Sequence, residues 1–167
     1  MKLYLDMDGV IADFFGKVEQ NYNVDHWKDL EDPSKTIESF KNTNWFYTLN
    51  PFLTSADLVA ACRRIAGREY GICSSPIGGD EYNSGYWKRE WLKQWGFLPE
   101  IQNLIFTGNK HRYAVDNLTT KGSLFFEINE YLGKPMTQLL KSFNFNAIEL
   151  KQDIFKKDRM IKGTKKA

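Results

Sequence analysis

Lys2-Leu3-Tyr4-Leu5-Asp6-Met7-Asp8-Gly9-Val10-Ile11-Ala12-Asp13-Phe14 is the stretch that decides the fold. Its first four residues read as a short apolar strand that runs straight into two carboxylates two positions apart and then a glycine. Charges at the end of a buried strand are costly unless a metal or a cation meets them. In open α/β sheets, the carboxyl end of a strand is also where ligands sit. The spacing suggests a division of labour, with one carboxylate as nucleophile and metal ligand and the other as general acid and base.

Two other readings fit the same residues. One is an Asp-rich turn with no chemistry. The other is the calcium loop that D-x-D-G opens, which asks for a glutamate at its twelfth position, where this chain has Lys17. Over Lys2 to Phe14 the chain resembles the first motif of the haloacid-dehalogenase (HAD) superfamily of phosphohydrolases. That resemblance implies that Asp6 attacks phosphorus and that Asp8 protonates the leaving oxygen and then activates water. Within the superfamily, the chain looks like the 5'(3')-deoxyribonucleotidase family and its small bacterial and phage relatives.

Composition sets bounds. The chain has 167 residues, enough for one domain with a small insertion. The 23 basic and 21 acidic residues leave a net charge of +2, so no global field argues for polymeric nucleic acid or a membrane surface. Lys156 to Lys166 is a basic run and is expected to be a frayed, flexible tail. Cys62 and Cys73 are too few for a disulfide framework. No apolar run reaches the roughly 18 residues of a membrane span, and Asp6 and Asp8 break the N-terminal apolar run too early for a signal peptide. These features predict a cytoplasmic protein and leave its oligomeric state open.

Periodicity then places the elements. Residues 2–6 form the first strand, and Ile11, Phe14, Phe15 and Val18 sit at helical spacing up to Tyr22. Residues 23–50 are polar, aromatic and irregular, as in a small helical insertion. A capped helix is expected from about Thr54 to Ala66, with Gly67 stopping it. Strands follow at 69–73, 103–107 and 124–128, with a short last one at 147–150, and helices at 86–95 and 134–143. Strands alternating with helices of this length predict parallel βαβ units and a three-layer α/β sheet.

The resemblance extends to further positions. Tyr70-Gly71-Ile72-Cys73-Ser74-Ser75-Pro76-Ile77 is similar to the nucleotidase second motif, which implies that Ser74 and Ser75 bind phosphate oxygens. The third motif is a lysine that offsets phosphoryl charge. Lys88, in Tyr86-Trp87-Lys88-Arg89-Glu90-Trp91, and Lys110, in Phe106-Thr107-Gly108-Asn109-Lys110, both match, with Lys110 preferred as the phosphate neighbour. The family often has an arginine where this chain has Gly108. It also usually ends its fourth strand with two adjacent aspartates, and none follows Lys110 here. In Leu124-Phe125-Phe126-Glu127-Ile128-Asn129-Glu130, the residues Asn129 and Glu130 stand in for that pair, with Glu127 as a rival; Asp116 lies too early. Phe14 matches a ring that stacks on the nucleobase, and Trp45 and Phe46 lie where the insertion returns to the core.

The resemblance thus implies a Rossmann-like HAD core (residues 1–15 and 51–155), a small helical cap inserted after the first strand (residues 16–50) and the basic tail (residues 156–167). It implies a phosphatase for nucleoside monophosphates, with deoxyribonucleotides favoured, that works through an aspartyl-phosphate. Magnesium would be held by Asp6, Asp8, Asn129 and Glu130. The alternatives are a catalytically weakened nucleotide or partner binder, and a phosphatase for another small phosphomonoester.

Overall fold

The computed structural model describes residues 2–110, 113, 123–127 and 131–166. The chain divides into two compact units, Met1–Lys110 and His111–Ala167. This division falls inside the expected core of residues 51–155.

The first unit is mixed α/β. Strands β1 (Leu3–Leu5), β2 (Tyr70–Ser74) and β3 (Leu104–Phe106) form a parallel sheet in the order β1-β2-β3. Helices α1 (Phe14–Tyr22), α2 (Pro33–Glu38), α3 (Ser55–Ala66) and α4 (Glu81–Gln94) surround it. Parallel strands need crossover connections; here α3 links β1 to β2 and α4 links β2 to β3. Ile72, Val59, Trp91 and Leu92 are core residues of this unit. A side chain at Gly71 would meet the Tyr4 ring at 2.5 Å and the Asn103 carbonyl at 2.6 Å, so the second position of β2 has room only for glycine.

The helix expected from Ile11 begins at Phe14 instead. The Met7 carbonyl accepts the N–H groups of Val10, Ile11 and Ala12, which wraps residues 7–12 into a tight turn. Gly9 takes the left-handed φ of 74° that this turn requires. Asp13 then caps α1 by accepting the Gly16 N–H at 3.0 Å. The insertion leaves and returns at the same place: Asp13 N–H donates to the Asn50 carbonyl at 2.9 Å. The Ser55 hydroxyl donates to the Ile11 carbonyl at 2.8 Å, which anchors the returning chain. Between these points lie α2 and two short 3-10 turns, Trp27–Asp29 and Trp45–Thr48. Helix α4 begins five residues before the expected Tyr86, because the polar first turn from Glu81 hides its apolar face.

The second unit corrects two expectations. Strand β4 (Ser123–Glu127) does not extend the parallel sheet. It pairs antiparallel with β6 (Asp158–Lys165), which also pairs antiparallel with β5 (Phe145–Gln152), in the order β4-β6-β5. Helix α5 (Gly133–Ser142) accompanies this sheet, and Leu124, Leu140, Phe145 and Ile161 form its small core. The basic tail is therefore largely strand β6, not a frayed end. Alternating residues hold it: Ile161 is buried and Lys162 bridges to Glu149 at 3.0 Å. Among the described residues, no helix is long and apolar enough to cross a membrane.

Candidate active site

The carboxyl ends of the three parallel strands carry the candidate site. Asp6 follows β1 directly, and its Oδ1 accepts the Met7 N–H at 2.7 Å. Asp8 sits in the turn beyond. Ser74 ends β2 and is fully buried. Lys110 follows β3 by four residues, and Lys88 lies in the middle of α4, also fully buried.

Each aspartate meets its own lysine. Lys110 Nζ donates to Asp6 Oδ2, and Lys88 Nζ donates to Asp8 Oδ2. Lys88 also donates to the Ser74 hydroxyl at 2.9 Å and lies 4.3 Å from the centre of the Phe46 ring. The sequence left Lys88 and Lys110 as competitors for one role; the fold gives each a separate carboxylate. Charged hydrogen bonds of this kind are the strong ones, and they supply the compensation that buried charges need.

Burial raises the Asp8 carboxyl above its ordinary 3.8, against the opposing pull of Lys88. Burial likewise lowers the Lys88 ammonium, against the pull of Asp8. Burial thus opposes the charge on both groups, and their mutual attraction favours it. Asp8 Oδ1 is buried without a hydrogen-bond partner among the described residues. An orphaned carboxylate oxygen beside a second carboxylate is the hard-oxygen donor set that a magnesium ion takes. Among the described residues, no three His, Cys, Asp or Glu side chains cluster as a metal site. Asn129 and Glu130, expected to complete one, lie outside the described residues.

A cavity of about 380 Å³ opens beside Asp8. Phe14, Phe46 and residues Ser75 to Gly78 line it, together with Ser34, Ile37 and Glu38 from the α2 segment. Phe14 and Phe46 stack with centroids 5.9 Å apart. Trp45 does not line this cavity. It stacks on Phe40 at 3.8 Å and packs the insertion. Ser34, Ile37 and Glu38 carry no local signal of this role beyond their membership of the insertion.

No family model matches the chain. The chain is 44% identical over 66 residues to the release factor glutamine methyltransferase of Flavobacterium psychrophilum, a match covering 40% of this chain and 23% of that protein. It is 25% identical over 140 residues to the mitochondrial 5'(3')-deoxyribonucleotidase of Homo sapiens, covering 71% of this chain and 60% of that protein. The chain thus spans less than two thirds of the length of each of these relatives. The second likeness gives distant support to a HAD-like relationship.

Proposed function

We propose that this protein is a magnesium-dependent phosphatase of the HAD type that hydrolyses nucleoside monophosphates, with deoxyribonucleotides favoured. The observation that carries the reading is the pairing of Asp6 with Lys110 and of Asp8 with Lys88 and Ser74 at one sheet edge, beside a cavity with aromatic walls. The distant likeness to a deoxyribonucleotidase supports it.

In this reading Asp6 Oδ2 attacks phosphorus as the bond to the leaving oxygen breaks. Asp8 gives a proton to that oxygen, a role suited to a carboxyl whose proton affinity burial raises. Water then yields a proton to Asp8 and attacks the phosphorus of the aspartyl-phosphate. The bond to Asp6 breaks and phosphate leaves. Ser74, Ser75, Lys88 and Lys110 offset the phosphoryl charge, since this reaction runs mainly on positioning and electrostatics. Phe14 and Phe46 offer ring faces to a base, and stacking tolerates any base because each has a π-face. Magnesium would be held by Asp6 and Asp8 and would supply Lewis-acid polarisation of the phosphoryl oxygens.

A second reading is a nucleotide binder without turnover. It is favoured by the altered fourth motif, since no pair of adjacent aspartates follows Lys110 in the sequence. Phosphate release from a panel of ribo- and deoxyribonucleoside monophosphates, with magnesium and with chelator, separates the two. Release that requires magnesium supports the phosphatase. Nucleotide binding without release supports the binder.

A further inference from the structure

Asp80 is an acidic residue only 7% exposed, and none of the chemistry above uses it. A buried carboxylate is costly unless its hydrogen-bonding capacity is met. Here neutral N–H groups meet it. Oδ1 accepts the Asn42 backbone N–H at 3.3 Å, and Oδ2 accepts from Asn83 Nδ2 at 3.0 Å. Asn83 Nδ2 also donates to the Thr43 carbonyl at 3.0 Å, and Asn83 Oδ1 accepts from the Trp87 indole at 3.1 Å. Asp80 and Asn83 thus seize two consecutive residues of the insertion, one of which, Asn42, holds a left-handed φ of 57°.

The position of this contact gives it meaning. Asp80 comes two residues after Gly78, the end of the wall that the core contributes to the cavity. Asn42 and Thr43 lie between Glu38 and Phe46, the residues that bracket the wall contributed by the insertion. The Thr43 hydroxyl accepts the Trp45 N–H at 3.2 Å, which carries the constraint on towards Phe46. On the core side, the Asp80 carbonyl accepts the Ser84 N–H at 3.0 Å, and the Ser84 hydroxyl accepts the Ile77 N–H at 3.2 Å. The insertion wall is therefore held by the Asp80 and Asn83 side chains, and the core wall by the Asp80 carbonyl and the Ser84 hydroxyl in the same turn, while Asp6, Lys110 and Ser74 are held by other contacts.

We infer that Asp80 and Asn83 form a clasp that sets the gap between the insertion and the core, and so position the non-phosphate half of the substrate. The inference rests on the reading of the site given above. These are positioning residues: they act through Asn42 and Thr43 and touch none of the reacting groups. A misplacement of an ångström, even from a change remote from the chemistry, can cost a reaction about a hundredfold, and that cost falls on a substrate whose binding uses the displaced wall. Loss of the clasp therefore separates two kinds of substrate.

The test compares the wild type, Asp80→Ala and Asn83→Ala in magnesium buffer. Asn83 is half-buried on α4, and alanine there keeps the helix, so this variant answers the question if Asp80→Ala folds poorly. The substrates are the nucleoside monophosphates and acetyl phosphate, which is too short to reach the rings. The expected result is a rise in nucleotide KM of about tenfold, with acetyl phosphate hydrolysis within about twofold of wild type. An equal fall on both substrates, or no change on either, overturns the clasp.

A second measurement is independent of activity. Trypsin cleavage after Lys41, next to the clasp, is expected to speed up by about fivefold or more in the variants, relative to cleavage after Lys93 on α4. If the wild type releases phosphate from no nucleotide, the substrate reading falls and the proteolysis decides. Faster cleavage at Lys41 then sustains the clasp, and an unchanged ratio ends it.

Discussion

Lys88 reaches from the middle of α4 to Asp8 in the turn after β1, and the lysine side chain of this ion pair is wholly buried. Removing one partner of a buried pair leaves the other charge uncompensated, whereas removing both is often tolerated. Lys88→Met is therefore expected to lower stability by about 3 kcal/mol. Adding Asp8→Asn to Lys88→Met is expected to recover most of it. Urea unfolding followed by tryptophan fluorescence measures this in the first unit alone, because all five tryptophans lie between Trp27 and Trp95. A Lys88→Met protein as stable as wild type would contradict the pairing.

Stability should also depend on pH through Asp8. Its carboxyl is raised by burial in the folded state, above the ordinary 3.8. Below 3.8 it is protonated in both states and its contribution is complete. As pH rises, the unfolded chain ionises first, and the contribution is lost through the folded value. In magnesium-free buffer, the wild type is expected to lose stability relative to Asp8→Asn from 3.8 upward. A gain over the same range would mean that Lys88, and not burial, governs the carboxyl.

Asp6→Asn tests the proposed nucleophile. The amide oxygen can still accept the Met7 N–H that Asp6 Oδ1 accepts now. The lost partner, Lys110, is partly exposed, so the stability change is expected to stay within about 1 kcal/mol. Turnover is expected to fall by at least about 10³-fold, the scale on which a nucleophile counts. Retained phosphate release in a folded Asp6→Asn protein would remove the covalent route.

Magnesium with a phosphate mimic should stabilise a catalytic first unit and leave a degenerate one unchanged. A ligand at a hundred times its Kd adds about 2.7 kcal/mol if it binds only the folded state. The tryptophan-monitored midpoint is expected to rise by several degrees with magnesium and beryllium fluoride together. No rise at millimolar magnesium would favour the binder.

Much of the first unit was legible in the chain. The apolar run before Asp6, the Gly67 stop and the alternation of strands with helices are local signals. They foretold parallel strands joined by helices, with Asp6 and Asp8 at the end of the first strand. Helix α4 was only half legible, since its first turn is polar and its start depends on Ser84 bonding back to Asp80. The second unit misled because strand periodicity does not encode partners. Leu124 to Glu127 reads equally well as a parallel or an antiparallel strand until β6 is found beside it.

The sequence by itself determined that two carboxylates would stand at the end of the first strand, because their spacing and the glycine after them are local facts. Only the tertiary structure decided that Lys88 belongs to Asp8 and Lys110 to Asp6, and that Asp80 ties the insertion to the core. Those pairings join residues 80, 104 and 38 positions apart. Contacts over such separations are set by how the elements pack, and no local pattern records them.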